Sequence, residues 1–514
     1  MSSRLMIQGT MSSAGKSLVT AGILRVLKQD GCKAAPFKSQ NMALNSFVTK
    51  EGREIGRAQA MQAEAAGAEP ESAMNPILLK PDSDTGSQVI VNGLVYADMS
   101  AKEYFAHKKK LIPCILEAFH ALEERYDAIV IEGAGSPAEI NLKQDDIVNM
   151  GLAELVDAPV LLVADIDRGG VFAQIYGTVM LLTPEERARI KGIIINKFRG
   201  DKTLLQPGID QIEELCGIPV LGVLPYLKID IDDEDSVSDR LGHRRFSGQG
   251  VRIAVIRLPH ISNYTDFAPL ENEPGTELIY TELKDEILKA DAVILPGSKN
   301  TSGDLKWLKE HGLDAVIRRA AERGTLICGI CGGYQMLGET IVPEDGSVLG
   351  GLRLLPVETV FCEEKALKQV SGETAVNGGA LAAIGGRKVE GYEIHMGRTK
   401  RSEEAPAFVR LTDRNGEIYG DGCVQGRVFG TYLHGLFDTD AFRHAFTEML
   451  GENGFGEGAD GSRSSGGEAD VPVTEADVDT ENRAAYRETQ YDILAEAIRE
   501  HLDMERIRKI MTQN

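Results

Sequence analysis

The chain has 514 residues, 42% of them hydrophobic and 26% charged, and a formal net charge of −22. Such a chain is too long for one hydrophobic core, so two or three domains are expected. The acidic balance argues against a nucleic-acid partner, because nucleic-acid-binding domains carry basic surfaces. No apolar run approaches the length of a membrane span, and Arg4–Gln8 predicts a strand where a signal peptide would have its apolar core. Seven scattered cysteines are typical of a reducing compartment, so we expect a cytoplasmic protein without a membrane partner.

The first part of the chain alternates short apolar runs with amphipathic stretches. The runs predicted as strands are Arg4–Gln8, Lys33–Phe37, Ala128–Glu132, Val160–Asp165, Gly192–Asn196 and Val220–Val223. Helical patterns such as Ser17–Gln29 and Lys109–Glu124 lie between them. Strands separated by helices indicate a doubly wound parallel sheet, whose ligands bind at the carboxyl ends of the strands. We therefore interpret residues 1–228 as one α/β domain.

A glycine-rich loop follows the first predicted strand and precedes a predicted helix. It has five residues between its glycines, one more than the common phosphate-loop pattern. In such a loop backbone N–H groups surround the phosphates, a lysine neutralises them and a hydroxyl binds Mg²⁺. Here Lys16 would serve the phosphates and Ser17 the metal. The loop residues predicted to bind nucleotide are Gly9, Thr10, Ser13, Ala14, Gly15, Lys16 and Ser17.

Two further strand ends direct polar side chains toward the same edge of the predicted sheet. Glu132 ends an apolar strand, where its carboxylate can hold a metal ion beside the phosphates. Asn196 ends another strand, where its amide can bind adenine. For both residues, an ordinary surface position at the end of a strand remains the alternative.

The alternating pattern breaks at residues 229–250, where an acidic run and a polar, glycine-bearing stretch predict a linker. A second α/β series follows, and we assign residues 251–514 to a second domain. Residues 452–481 are rich in Gly, Ser, Asp and Glu and predict a disordered insert. A periodic helix, Tyr491–Met511, closes the chain. The strands predicted in this domain are Val251–Leu258, Ala292–Leu295, Thr325–Cys328, Leu352–Thr359, Ala407–Leu411 and Val428–Thr431.

Cys331 lies in a glycine-flanked string directly after the apolar run Thr325–Cys328. A buried strand, a tight turn and a helix form a nucleophile elbow, in which the glycines let the thiol stand clear of the backbone. A helix N-terminus lowers the pKa of a thiol and offers N–H groups to an oxyanion. Cys328 and Cys331 also form a Cys-x-x-Cys pair, so a redox dithiol is an alternative, although Cys328 belongs to the apolar strand.

His434 is the best candidate for the base that activates Cys331. It follows a short predicted strand, and an imidazole within hydrogen-bond reach would support attack of the thiolate on a carboxamide. The oxyanion would be bound by backbone N–H groups near Gly332 and in the turn that contains Gly297. His434 could also be a structural histidine, and His395 could be either a core residue or part of a pocket.

At this point the residues carry a family resemblance. The second domain resembles class I glutamine amidotransferases, whose elbow reads Gly-x-Cys-x-Gly-x-Gln and is matched by Cys331, Gly333 and Gln335. The resemblance implies a doubly wound glutaminase fold and a role for Gln335 at the glutamine site. That family normally places a glutamate two residues after the histidine, and this chain has Leu436 there. This departure is typical of the corrinoid-amidating branch, and it leaves the partner of His434 open.

The first domain resembles dethiobiotin synthetase, a phosphate-loop family with the same loop spacing. This resemblance implies ATP and Mg²⁺ as cofactors, formation of a carboxyl phosphate, and the roles given above for Lys16, Ser17, Glu132 and Asn196. We also place Lys38 near the substrate carboxylate or phosphate, with an ordinary strand-end lysine as the alternative. The phrases at 36–46 and 260–267, with the domain order, resemble the corrinoid amidotransferases of cobalamin synthesis. The implied partners are glutamine and a corrinoid polycarboxylate.

Three other functions remain open at the level of sequence. A sister enzyme that amidates the a and c carboxylates of the corrinoid shares both domain types, and only substrate-side segments such as Ser39–Ser46 would separate the two. A peptidoglycan-amidating component normally divides the two activities between chains. A regulatory phosphate-loop ATPase would need no thiol elbow, so Cys331 and His434 count against it. The sequence leaves the oligomeric state undetermined.

Overall fold

The computed structural model describes residues 2–81, 86–231, 242, 245–248, 250–453 and 483–512. Two compact units are formed, one by Met1–Val237 with Arg487–Asn514 and the other by Ser238–Tyr486. Most of the predicted linker 229–250 and nearly all of the predicted insert 452–481 lie outside the described residues. Within the described ranges, every helix is too short or too polar to span a lipid bilayer.

The first unit is an α/β unit whose elements follow the alternation of the sequence. Its described strands are β1 Ser3–Gly9, β2 Ala34–Phe37, β3 Gln40–Met42, β4 Ser46–Val48, β5 Glu54–Gly56, β6 Ile77–Pro81, β7 Gly86–Val91, β8 Leu94–Ser100, β9 Ala128–Glu132, β10 Val160–Asp165, β11 Ile190–Phe198 and β12 Val220–Pro225. Its described helices before the second unit are α1 Lys16–Gln29, α2 Arg57–Ala66, α3 Ala101–His107, α4 Ile112–Glu123, α5 Met150–Leu155, α6 Val171–Leu181, α7 Pro184–Arg189 and α8 Gln206–Cys216.

A parallel sheet in the order β2-β9-β1-β10-β11-β12 forms the centre of this unit. Its strands are buried on both faces, which is why they read as unbroken apolar runs rather than alternating ones. Met6 packs into the core on one face, whereas Leu5 and Ile7 pack into the core on the other. Because the strands are parallel, the segments after β1, β2, β9, β10 and β11 meet at one edge. The phosphate loop is one of these segments.

The second unit contains a parallel sheet and a separate, mostly antiparallel one. Its described strands are β13 Val251–Ile256, β14 Ile261–Ser262, β15 Thr276–Thr281, β16 Ala292–Leu295, β17 Gly297–Ser298, β18 Leu326–Ile330, β19 Thr340–Val342, β20 Leu349–Gly350, β21 Val357–Thr374, β22 Lys388–Arg401, β23 Val409–Asp413, β24 Ile418–Asp421, β25 Cys423–Gln425, β26 Val428–Thr431 and β27 Leu433–His434. Its described helices are α9 Ala268–Glu271, α10 Lys284–Ile287, α11 Thr301–Glu310, α12 Leu313–Glu322, α13 Gly332–Leu337 and α14 Asp440–Asn453.

The central sheet of the second unit has the order β15-β13-β16-β18-β26-β25, parallel except for β25. The segments that follow the four neighbouring parallel strands therefore lie at the same edge of this sheet. These strands are β13, β16, β18 and β26. The long strands β21 and β22 pair antiparallel in the second sheet, which also contains β27. The α/β fold class predicted for both domains is confirmed, but the antiparallel sheet was not predicted.

The predicted boundary of the second domain differs from the structure at the C-terminus. The predicted helix Tyr491–Met511 is two helices, α15 Arg483–His501 and α16 Met504–Thr512. Arg487–Asn514 belongs to the first unit, not to the second as predicted. The physical reason is burial: apolar residues of both helices, among them Leu494 and Ile507, complete the core on the α1 side of the first unit's sheet. Periodicity identifies an apolar helix face but not the surface that it covers.

Candidate active sites

The phosphate loop lies between the end of β1 and the start of α1. Ser13 and Gly15 have positive φ angles of 59° and 93°, so the backbone curves tightly and presents its N–H groups. A side chain on Gly15 would also collide with the amide of Asn196, since its Cβ would lie 2.1 Å from Nδ2. Thr10 is fixed by its N–H, which donates to the Val163 carbonyl at 2.9 Å. The hydrogen bond from Thr10 therefore anchors the loop to β10.

A buried cluster around Glu132 lies beside this loop. Ser17 Oγ donates to Glu132 Oε1 at 2.9 Å, and Lys38 Nζ donates to the same oxygen at 3.0 Å. Gln62 Nε2 donates to Glu132 Oε2 at 2.5 Å. Burial alone would raise the pKa of Glu132, but Lys38 and Lys16 hold that pKa below its ordinary value. The structure thus brings the predicted metal, phosphate and substrate residues together around one charged carboxylate.

Asn196 lies where predicted, but its amide has another partner. Its Nδ2 donates to the Ala14 carbonyl at 2.9 Å, which ties the end of β11 to the phosphate loop. Beside it, Lys197 Nζ donates to the Ser13 carbonyl at 2.7 Å and to Asp165 Oδ2 at 3.0 Å. These contacts make Asn196 a support of the loop conformation, and its predicted contact with adenine remains a prediction.

A cavity of about 510 Å³ opens next to the Glu132 cluster within the first unit. Lys16, Lys38 and Glu132 line its polar end. Apolar surface is contributed to the wall by Met42, Leu79, Met99, Tyr104, Phe105, Leu142 and Ile147. Charged side chains also line the cavity, namely Lys108, Glu139, Lys143, Asp146 and Glu186. A pocket with a charged end beside a phosphate site and an apolar wall is suited to a large, partly apolar molecule that carries a carboxylate.

In the second unit, Cys331 forms the turn between β18 and α13. Its φ of 51° and ψ of −108° are a strained combination for a residue with a side chain. The turn is closely packed, because a Cβ on Gly333 would lie 1.9 Å from the Leu295 carbonyl oxygen. Cys331 N–H donates to the Thr431 carbonyl at 2.9 Å, and its Sγ lies 3.4 Å from the Ile394 carbonyl. This is the predicted elbow, and Cys331 is 8% exposed.

The predicted oxyanion turn lies directly against the elbow. A Cβ on Gly332 would lie 2.9 Å from Ser298 N, and a Cβ on Gly297 would lie 3.5 Å from His434 Cε1. The turn is braced by Asp304, which accepts a hydrogen bond from Ser298 Oγ at 2.7 Å. The ring of His260 contacts the same carboxylate at 2.7 Å. Gly297 and Gly332 therefore lie on facing backbones beside the thiol and the imidazole.

His434 follows β26, the neighbour of β18, and is buried with its ring stacked on Tyr392. Its Nδ1 lies 2.6 Å from Asp266 Oδ2. Its Nε2 is buried and makes no hydrogen bond to any of the described residues. Burial by itself would lower the pKa of His434, but the Asp266 carboxylate and, after it, the Cys331 thiol raise that pKa to about 10. The predicted base is thus close enough to the thiol to be affected by it electrostatically.

Gln335, predicted at the glutamine site, makes contacts within the protein. Its Nε2 lies 3.0 Å from both the Met396 carbonyl and the Tyr432 hydroxyl, and its Oε1 accepts from Thr301 Oγ1 at 3.2 Å. These bonds join α13 to β22 and α11 around the elbow. His395 is stacked on Tyr432 with ring centroids 3.6 Å apart, and burial lowers the pKa of His395 to about 4.

The redox alternative for the Cys-x-x-Cys pair has little support in the geometry. Cys328 lies within β18 and is fully buried, and both cysteines are free. Burial raises the pKa of the Cys328 thiol well above its ordinary value, whereas a redox dithiol needs an accessible thiolate. We conclude that Cys328 is a core residue.

Sequence reasoning missed Gln62, Asp266 and Asp304. Gln62 lies on α2 and gives no motif signal. Asp266 and Asp304 follow β13 and β16, and a known strand order would have indicated that they lie beside the thiol. The phrase at 260–267 is part of the family resemblance, but nothing in it links a carboxylate to His434.

Comparison with known proteins agrees with the two-site arrangement. Residues 5–236 match a CobQ/CobB/MinD/ParA nucleotide binding domain, and residues 252–442 match a CobB/CobQ-like glutamine amidotransferase domain. The chain is 51% identical to a cobyric acid synthase of Lachnoclostridium phytofermentans over 100% of both chains. It is 50% identical to a cobyric acid synthase of Photorhabdus laumondii over 99% of this chain and 98% of that protein. A cobyric acid synthase of Citrobacter koseri is also 50% identical, over 100% of this chain and 99% of that protein.

Proposed function

Since the chain belongs to the cobyric acid synthase family, we propose that it uses ATP and glutamine to amidate the b, d, e and g carboxylates of adenosylcobyrinic acid a,c-diamide. The observation that carries this proposal is the presence, on one chain, of a thiol elbow with a buried imidazole and a phosphate loop with a buried carboxylate. The thiol site releases ammonia, and the phosphate-loop site activates a carboxylate to receive it.

At the thiol site, the thiolate of Cys331 attacks the side-chain carboxamide carbon of glutamine. The negative oxygen that forms is stabilised by backbone N–H groups of the facing turns at Gly332 and Ser298. The C–N bond then breaks, the proton held by His434 passes to the leaving nitrogen, and ammonia departs. Water, giving a proton back to His434, hydrolyses the thioester that remains and releases glutamate.

At the phosphate-loop site, the corrinoid carboxylate takes the γ-phosphoryl group of ATP, and ADP leaves. A carboxylate is a poor electrophile, and the acyl phosphate made in this way is a good one. Ammonia attacks its carbonyl carbon and displaces inorganic phosphate. Lys16 and Lys38 stabilise the negative charge that is transferred, and the apolar wall of the cavity holds the corrin body.

The residues around Glu132 fit a Mg²⁺ ion. Mg²⁺ prefers oxygen ligands and is usually held by one or two carboxylates together with substrate phosphates and water. Ser17 Oγ and the Glu132 carboxylate would hold it, and the buried Gln62 Oε1, which has no hydrogen-bond partner among the described residues, adds an oxygen nearby. Bound there, the ion would neutralise charge on the phosphates.

Both sites on one chain keep the ammonia available as the neutral nucleophile, because release into water at neutral pH would protonate it. We place the reaction in the cytoplasm, on the basis of the free cysteines. The sister function, amidation of the a and c carboxylates, uses the same two chemistries and is separated from this one by substrate alone.

The deciding experiment is mass spectrometry of adenosylcobyrinic acid a,c-diamide after incubation with the enzyme, ATP, Mg²⁺ and glutamine. We expect four successive amidations of the a,c-diamide, one at each of the b, d, e and g carboxylates, after which the reaction stops. Amidation of cobyrinic acid in place of the a,c-diamide would assign the chain to the sister function. If neither compound is amidated, the proposal is wrong.

A further inference from the structure

The glutaminase site lacks the acidic residue that class I amidotransferases place after the histidine. The residue in that position is Leu436, whose side chain is buried and apolar. An imidazole needs a partner on the nitrogen that faces away from the nucleophile, because that partner fixes both the ring orientation and the position of the proton. The structure therefore has to supply a carboxylate from elsewhere if His434 is to be held in this way.

We propose that Asp266 is the positioning residue of the glutaminase reaction, holding His434 so that Nε2 exchanges its proton with Cys331. This inference rests on the glutaminase role proposed above for the thiol and the imidazole. Asp266 Oδ2 lies 2.6 Å from His434 Nδ1. The carboxylate is only 6% exposed, so its charge is poorly screened by water.

A second contact to the same nitrogen has to be weighed against this one. Asn263 Nδ2 lies 3.3 Å from His434 Nδ1. An amide donor requires an unprotonated Nδ1, whereas a carboxylate acceptor requires Nδ1–H. Only one of the two contacts can therefore be a hydrogen bond at one time. The contact to Asp266 is shorter and involves a charged acceptor, which makes it the stronger one. Nδ1 therefore carries a proton.

Asp266 is itself held in place from two directions. Its other oxygen, Oδ1, accepts a hydrogen bond from Gly435 N–H at 3.2 Å, so the carboxylate contacts both the ring and the following peptide. It lies in a 3₁₀ turn, Tyr264–Phe267, that follows β14. Because β14 pairs with β17, which contains Gly297, the segment that supplies the carboxylate also supports the oxyanion turn.

The order of the strands in the sheet explains why this carboxylate lies within reach of His434. Asp266 follows β13, and His434 follows β26, which are separated by β16 and β18 in the parallel sheet. The segments after β13, β16, β18 and β26 carry the carboxylate, the oxyanion turn, the thiol and the imidazole in that order across one sheet edge. Asp266 lies 168 positions before His434 in the sequence. It thus takes the place of the glutamate that class I amidotransferases have two residues after the histidine.

The test compares Asp266→Asn with a matched control, Asp291→Asn. Asp291 is a similarly buried carboxylate of the same unit, 7% exposed, that binds Arg252 and has no part in the site. An asparagine at 266 keeps the shape but offers Nδ2 to His434, which favours the tautomer with its proton on Nε2 and leaves no lone pair for the thiol proton.

We expect kcat for glutamine hydrolysis to fall by about 10²–10⁴-fold in Asp266→Asn, with KM changed only slightly. Asp266→Asn should carry out amidation with ammonium salts at the rate of the unmodified enzyme. The Asp291→Asn control should hydrolyse glutamine with the kcat and KM of the unmodified enzyme. A folded Asp266→Asn enzyme with unchanged kcat overturns the inference. Loss of hydrolysis only through KM also overturns it, because a positioning role acts on the chemical step.

If Asp266→Asn does not fold, a measurement on the unmodified enzyme tests the role of Asp266. Histidine labelled at Cε1, with His434→Asn to assign the signal, gives the charge state of the ring by NMR. The charged and titratable groups around His434 are Asp266, Cys331, Tyr392, Glu393 and His395. We expect the ring to stay protonated well above pH 8, with only a small step near pH 7, where burial places the pKa of Glu393. Full titration below pH 7 overturns the inference.

These outcomes separate the inference from the function on which it rests. If Cys331→Ala still hydrolyses glutamine, the proposed glutaminase site is wrong. If Cys331→Ala is inactive and Asp266→Asn is as active as Asp291→Asn, the site is right and the role of Asp266 is wrong.

Discussion

The phosphate-loop site and the thiol site differ in how much of each one lies in a single stretch of sequence. The phosphate contacts that we propose come mostly from consecutive residues, in the loop from Gly9 to Ser17. The thiol site draws its groups from the segments that follow β13, β16, β18 and β26. A site formed by backbone N–H groups needs a particular local conformation, whereas a site formed by a thiol, an imidazole and a carboxylate needs three side chains at one point in space.

This difference predicts that the two sites tolerate single substitutions unequally. Backbone N–H groups survive most substitutions, and the charge around Glu132 is shared by Lys16 and Lys38. The thiol site has one nucleophile and one base, and neither has a substitute within the site. Three substitutions test this asymmetry.

The largest effect is expected for Cys331→Ala. Removal of the nucleophile should reduce glutamine-dependent amidation by a factor on the order of 10⁶, since no other group in the site attacks the carboxamide. Amidation with ammonium salts should continue at the unmodified rate, because the phosphate-loop site is untouched. The check is the amidation rate with each nitrogen source at one pH. Loss of both activities would contradict two separable sites.

A smaller but broader effect is expected for Lys16→Ala. Loss of one charge-assisted contact to the phosphates should reduce amidation by about 10²–10³-fold with either nitrogen source. Glutamine hydrolysis should remain measurable, which is the reverse of the pattern for Cys331→Ala. Lys191→Ala, which removes an exposed lysine of the same unit, serves as the control. Unchanged amidation in Lys16→Ala would remove the phosphate-loop assignment.

The smallest of the three effects is expected for Gly332→Ala. The added Cβ would lie 2.9 Å from Ser298 N and would separate the two backbones that bind the oxyanion. We expect glutaminase kcat to fall by about 10²-fold, as for the loss of one oxyanion donor. Gly378→Ala is the matched control, because a Cβ there has no heavy atom within 4 Å. Equal activity in the two variants would mean that the facing turns do not bind the oxyanion.

Much of the fold was accessible from the sequence because parallel strands buried on both faces leave continuous apolar runs. The runs at Ala128–Glu132 and Val160–Asp165 coincide with β9 and β10. The antiparallel pair β21 and β22 was not predicted, since long strands such as β22, with buried and exposed positions mixed along them, give a weak periodic signal. The packing of α15 and α16 against the first unit was also not predicted, because an apolar helix face does not specify the surface that it covers.

The sequence by itself determined the local chemistry: a strained, glycine-flanked thiol at Cys331 and a glycine-rich loop ending in Lys16 and Ser17. Both depend on backbone conformation within a few residues, so their signals are contiguous. Only the tertiary structure decided which carboxylate holds His434. Asp266 lies far from it along the chain, and the order of β13, β16, β18 and β26 in the sheet, set by packing across the whole unit, brings the two within 2.6 Å.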